Sequence, residues 1–241
     1  MFRIYSIKLV IRIVVFIAAV LIHFYDKSSL NISNGLAFNA GIKPIHIIWL
    51  IFAVEMLQKF FPNKLISLGC GKQFKSTYRP ADRELAKVEI GELVSGEKTG
   101  AKRVFAAWFG ANAVVGMLYY AKVFGESDLV LLSLFYFVCD LICVLLFCPF
   151  QYFFMKNRCC VTCRIFNWDS IMFLTPLLFI RSFFSVSLVL IALFLLIRWE
   201  VTYRRYPERF LEQGNANLKC KHCQEKLCKV KKNLSACSLN V

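Results

Sequence analysis

Residues 148–169 of the chain read Cys-Pro-Phe-Gln-Tyr-Phe-Phe-Met-Lys-Asn-Arg-Cys-Cys-Val-Thr-Cys-Arg-Ile-Phe-Asn-Trp-Asp. This stretch begins where one long apolar run ends and stops where the next run begins. It holds four of the eleven cysteines of the chain, three basic residues and a single acid, Asp169. A basic, cysteine-rich connection between two apolar runs indicates a loop at a membrane surface, and the rest of the chain is interpreted outward from it.

The composition of the chain supports a membrane protein. Hydrophobic residues make up 58% of the 241 residues and charged residues 19%, whereas soluble domains have about 45–50% and about 25%. The apolar residues are gathered into long uninterrupted runs, which is typical of membrane spans. The sequence therefore predicts an all-α fold, a polytopic bundle of transmembrane helices.

Five or six spans are predicted. The uncertain part is 170–199, which is nearly apolar but contains Pro176 and Arg181. It is too long for one span of about 20 residues and short for two, so we expect two short or broken helices forming a hairpin. The predicted spans are 9–25, 44–61, 104–124, 129–147, 170–181 and 183–199, and residues 200–241 form a basic tail.

The longest polar segment, 62–103, separates the second span from the third. Apolar residues within 80–94 recur at helical spacing and predict a short surface helix. Gly-Glu-Lys-Thr-Gly at 96–100 lacks the glycine spacing of a phosphate-binding loop. We expect a flexible turn there.

The net charge of +15 does not indicate nucleic-acid binding, because the Lys and Arg residues flank the apolar runs. That placement follows the positive-inside bias and favours contact with the lipid bilayer, including its anionic lipids. With the basic segments 62–103, 154–168 and 200–241 all cytoplasmic, six passes are favoured. The protein is then a multi-pass cell-membrane protein with both termini in the cytoplasm. Five passes would place the tail on the opposite side.

Two cysteine groups carry the strongest chemical pattern. Cysteines two positions apart can direct two thiolates at one metal, and four such ligands complete a zinc or iron–sulfur site. Because each group alone is short of four regular cysteine ligands, we predict one or two sites shared between loop and tail. The predicted ligands are Cys159, Cys160, Cys163, Cys220, Cys223 and Cys228, with Cys148 and His222 as further candidates.

Two other interpretations of these cysteines stay open. The thiols are simply reduced if no metal binds, and they form disulfides if the groups face outward. If the metal is an iron–sulfur cluster, the protein passes electrons to a quinone or a membrane partner. If it is zinc, the metal docks the tail on a bundle that transports a small solute or acts as a scaffold.

The motifs Cys-Pro-Phe-Gln at 148–151, Cys-Cys-x-x-Cys at 159–163 and Cys-x-x-Cys-x4-Cys at 220–228 resemble a family of uncharacterised bacterial integral membrane proteins with no known activity. Cys143-x4-Cys148-Pro149 is also similar in part to the Cys-Pro signature of membrane-anchored ferredoxin-type quinol dehydrogenases, which implies a cubane iron–sulfur cluster. That family has three residues between the cysteines, where this chain has four.

Ionisable residues inside spans are costly and indicate function or pairing. Glu55 and Asp140 are the deepest acids, and we expect them either to bind a proton or cation or to pair with Arg12 or Arg181. His23 and His46 lie near span ends, where they either ligate a haem or face the interface. The spacing of Ser, His and Asp does not indicate a hydrolase, and the sequence leaves open whether the protein is an enzyme.

Overall fold

A computed structural model describes residues 2–32, 42–62, 70–81, 87–157 and 162–219. Within these ranges the chain is helical and has no β-strand, so the all-α fold class is confirmed. The α-helices are α1 (Phe2–Tyr25), α2 (Pro44–Gln58), α3 (Cys70–Gln73), α4 (Lys87–Tyr120), α5 (Glu126–Leu145), α6 (Asp169–Leu174) and α7 (Phe183–Arg205). Phe150–Met155 forms a π-helix, and short 3-10 turns connect several of the helices.

In the described part of the chain, three helices are long and apolar enough to cross a membrane, as expected of an integral membrane protein. They cover Ile4–Tyr25, Glu126–Leu145 and Phe183–Arg205. These correspond to the predicted spans 9–25, 129–147 and 183–199. Helix α2 is apolar but shorter, with 15 residues, and ends at Gln58 rather than at residue 61. The total of five or six crossings stays a prediction.

Helix α4 corrects two expectations from the sequence. The predicted surface helix, the turn at 96–100 and most of the third span form one continuous helix of 34 residues. Gly96 and Gly100 lie inside it, so the flexible turn was wrong. Glycine costs a helix only about 1 kcal/mol relative to alanine, and packing compensates at Gly100, where an added Cβ would lie 2.8 Å from Met155 Sδ.

The predicted break in 170–199 is present at the start of α7. Helix α6 has only six residues and continues as a 3-10 helix, Thr175–Phe179. The chain then turns at Ile180, and the Ser182 side chain caps α7 by accepting a hydrogen bond from the backbone N–H of Ser185. No helix of 170–179 is therefore as long as a membrane span of about 20 residues.

The core of the bundle is centred on three phenylalanines. Phe52 of α2, Phe137 of α5 and Phe173 of α6 lie with ring centroids 5.0–5.2 Å apart. All three side chains are buried. Edge-to-face and tilted ring pairs of this kind are favourable beyond their buried area, so the triad holds the three elements in register.

The two ends of the bundle have distinct contents. We call one the cysteine end, because Cys148, Cys163 and the tail base 206–219 lie there. Tyr5, near the start of α1, is in one apolar cluster with Leu218 of the tail base. At the opposite end, the residues after α1 meet the turn before α5, where Lys27 Nζ lies 3.2 Å from an Asp128 carboxylate oxygen. The start of the chain and the tail base therefore lie at one end.

Candidate functional site

Arg12 lies near the middle of α1 and is the centre of a charged cluster inside the bundle. Its guanidinium donates to Glu55 Oε1 at 3.0 Å and to Asp140 Oδ2 at 3.0 Å. It also donates to the backbone oxygen of Phe137 at 2.6 Å and lies 3.6 Å from the centroid of that ring. Only 5% of Arg12 is exposed. One cation thus ties α1 to α2 and α5.

Three more charged groups extend this cluster toward the cysteine end. Lys8 Nζ lies 3.4 Å from Glu55 Oε1. Lys59, just after α2, pairs with Asp169 and donates to Ser170 Oγ at 2.9 Å. We define the charge cluster as Lys8, Arg12, Lys59, Glu55, Asp140 and Asp169. Its three cations and three carboxylates balance, so burial leaves no net charge uncompensated.

This geometry decides between the two expected partners of the span acids. Glu55 and Asp140 both contact Arg12, while Arg181 is exposed near the start of α7. The sequence singled out the acids and the arginine because ions are rare in spans. It missed Lys59 and Asp169, which lie at helix ends, where charged residues are ordinary.

Residues 164–170 follow the cysteines of the stretch 148–169 and contact several elements at the cysteine end. Arg164 pairs with Glu200 of α7, and Trp168 Nε1 donates to the same carboxylate at 2.8 Å. Asn167 donates to Gln73 at 2.8 Å, and both side chains are buried. Together with the Asp169–Lys59 pair, these contacts make 164–170 the hub of this end.

A second polar group lies beside the hub, at the start of α4 and the end of α7. The Tyr203 hydroxyl donates to Glu97 Oε2 at 2.7 Å, and the Arg164 guanidinium carbon lies 3.8 Å from the Tyr203 ring centroid. Burial raises the pKa of Glu97, although the hydrogen bond from Tyr203 and the charge of Arg164 act to lower it. Glu97 therefore retains a proton to higher pH than an exposed glutamate does.

The tail base is anchored by a buried asparagine. The Asn215 side chain donates to the backbone oxygens of Lys72 and Arg209 at 3.0 and 2.9 Å and accepts from the backbone N–H of Asn217 at 3.1 Å. Three residues further on, Leu218 is buried in a cluster against which Phe166 of the hub packs. The tail base is therefore held against the bundle by these hydrogen bonds and by the burial of Leu218.

Most predicted metal ligands lie outside the described residues: Cys159, Cys160, Cys220, His222, Cys223 and Cys228. Cys163 is described and is 5% exposed, in an apolar cluster with Ala101, Val104, Met155 and Ile165. Cys148 is half-buried, and its sulfur accepts from the Gln151 backbone N–H at 3.4 Å. Across the described ranges, no three His, Cys, Asp or Glu side chains are grouped to hold a metal ion.

The two histidines of the spans have separate contacts. His23 Nε2 lies 3.3 Å from Asp128 Oδ1. His46 Nδ1 accepts from the backbone N–H of Lys43 at 2.8 Å, at the start of α2. Each histidine therefore has a local partner at the opposite end of the bundle.

Comparisons with protein-family models, with curated proteins and with solved structures found no match. The family resemblance described above therefore depends on the quoted cysteine motifs alone.

Proposed function

We propose that this is an integral membrane protein whose cysteine end faces the cytoplasm and holds a metal between the loop 148–163 and the tail after Lys219. With an iron–sulfur cluster bound, the protein would pass electrons between a cytoplasmic donor and a quinone or membrane partner. The cysteines would supply the thiolate ligands that such a cluster requires.

The observation that supports this proposal is that Leu218 and Phe166 belong to one apolar cluster. Cys220 is two residues beyond Leu218, and Cys163 is three residues before Phe166. An extended chain covers at most about 3.6 Å per residue. The Cα atom of Cys220 is therefore within roughly 7 Å of that of Leu218, and the Cα atom of Cys163 is within roughly 11 Å of that of Phe166. Both cysteine groups therefore start from the same end of the bundle.

A second candidate function is a membrane scaffold or small-solute transporter whose tail is docked by structural zinc. The charge cluster favours the scaffold within this alternative. Each of Glu55, Asp140 and Asp169 has a cation partner, so the described geometry uses the acids to join helices.

The shared site is tested with two double variants measured for metal content and for protease sensitivity of the tail. Cys160→Ser/Cys163→Ser and Cys220→Ser/Cys223→Ser should each lower the metal per chain and expose the residues after Lys219 to protease. Cys139→Ser on α5, a cysteine outside every proposed ligand set, is the control and should change neither. If the loop variant loses metal while the tail stays as resistant as before, the site is not shared.

The orientation is tested with a membrane-impermeant thiol reagent on intact cells and on inverted vesicles. After a chelator has removed the bound metal, we expect Cys220, Cys223 and Cys228 to react only in the inverted vesicles. Strong reaction of the tail from outside intact cells would place the cysteine end on the other side and contradict the cytoplasmic site.

A further inference from the structure

One exposed stripe of α4 carries basic residues on one turn and aromatic residues on the next. Lys98, Lys102, Phe105 and Phe109 follow one another at intervals of four, three and four residues. In an α-helix these positions share one face. All four side chains are exposed, Phe105 by 60% and Phe109 by 64%. The two rings are stacked, with centroids 5.9 Å apart.

The stripe crosses the boundary of the apolar part of α4. Residues before Val104 are mostly polar, and those after it are mostly apolar. Lys102 and Phe105 are separated by about 4.5 Å along the helix axis. The two lysines therefore lie on the polar side of the boundary and the two rings on the apolar side.

The order of lysines and then aromatic rings along α4 matches the order of headgroup and acyl chains in a phospholipid. Lysine side chains near a membrane surface attract anionic headgroups, and aromatic side chains occupy the region between headgroups and acyl chains. Neither Lys98 nor Lys102 forms a salt bridge to a carboxylate in the described part of the chain. Their charges are thus available to a phosphate.

We propose that Lys98, Lys102, Phe105 and Phe109 form a binding site for an anionic phospholipid at the cysteine end. The two ammonium groups contact the headgroup, and the stacked rings contact the first part of the acyl chains. The site selects anionic over zwitterionic lipid through the lysines, and the rings contribute equally to both. It does not depend on the proposed metal.

The test measures affinity for phosphatidylglycerol and phosphatidylcholine with the full-length protein in detergent, by native mass spectrometry. Each lysine near an anionic headgroup contributes about fivefold in affinity, so Lys98→Gln/Lys102→Gln should lose roughly 25-fold for phosphatidylglycerol and little for phosphatidylcholine. Lys75→Gln/Arg79→Gln removes the same charge from exposed residues of the segment 70–81 and should keep the wild-type preference.

Three results would overturn the proposal. The wild-type protein could bind both lipids equally, the two double variants could lose the same affinity, or the stripe variant could keep its preference. Equal losses would mean that basic charge anywhere at this end attracts the lipid. Circular dichroism of each variant shows whether the helix content is unchanged.

Discussion

Replacing Arg12 should destabilise the bundle more than any single surface change. Arg12→Met removes two ion pairs of 3.0 Å, a hydrogen bond of 2.6 Å to a backbone oxygen and a contact with the Phe137 ring. It leaves Glu55 with Lys8 as its remaining direct cation partner and removes the guanidinium from Asp140. Removing one partner of a buried ion pair costs about 3–5 kcal/mol.

The expected loss is measurable by thermal unfolding in detergent. For a chain of this size, 1 kcal/mol shifts the midpoint by about 2–4 °C, so Arg12→Met should lower it by roughly 10 °C. Arg181→Met removes the same charge from an exposed position and should lower the midpoint by no more than about 2 °C.

A compensating variant separates the loss of charge pairing from the loss of packing. Adding Asp140→Asn to Arg12→Met replaces the carboxylate that lost its cation partner with a neutral amide, and the pairs Lys8–Glu55 and Lys59–Asp169 keep the remaining charges of the cluster balanced. The double variant should recover more than half of the loss. A single variant with a midpoint within about 2 °C of wild type, or a double variant no better than the single, would refute the reasoning.

Three further predictions concern packing, pH and the tail. An added Cβ at Gly116 would lie 2.5 Å from a ring carbon of Phe179, whereas nothing lies within 4 Å of an added Cβ at Gly110. Gly116→Ala should therefore lower the stability by about 1–3 kcal/mol, while Gly110→Ala should be neutral or stabilising. Equal effects of the two variants in thermal unfolding would contradict this packing. Burial raises the pKa of Glu97, so protonated Glu97 stabilises the fold at a pH below the ordinary pKa of glutamate, and this stabilisation is lost as the pH rises through the raised pKa. Glu97→Gln should therefore be more stable than wild type at neutral pH but not near pH 4.5. A stability gain of Glu97→Gln that does not change with pH would refute this reasoning. Asn215→Ala removes three hydrogen bonds of the tail base and should speed proteolysis after Lys219. Gln213→Ala changes an exposed side chain and should leave the rate of proteolysis unchanged. Equal rates for the two variants would show that these hydrogen bonds do not anchor the tail.

The helices themselves followed largely from hydropathy. Apolar runs gave the positions of α1, α5 and α7, and Pro176 with Arg181 indicated the break before α7. The continuity of the polar and apolar parts of α4 could not be predicted, because Gly96 and Gly100 together indicate a turn, whereas in the structure Gly100 packs closely against Met155 of the π-helix. Hydropathy measures the preference of each side chain for water or an apolar phase and does not describe which side chains pack together.

The charge cluster was only half predictable. Arg12, Glu55 and Asp140 stand out because they interrupt apolar runs. Which cation meets which acid depends on how helices 43 and 128 residues apart in the chain pack together. The stretch 148–169 stands out in the sequence by its cysteines, yet the main described role of residues 164–170 is to connect helices through Arg164, Trp168 and Asp169.

The central claim is that the cysteine end binds a metal, and metal analysis tests it most directly. The full-length protein would be purified in detergent without oxygen, and iron, zinc and acid-labile sulfide would be measured per chain together with an absorption spectrum. The proposal predicts bound metal. The electron-transfer function predicts iron with a matching amount of sulfide and a visible absorption band that bleaches on reduction. The tail docked by zinc predicts zinc in a colourless protein. A protein with neither metal, and with its cysteines titrating as reduced thiols, would contradict the claim.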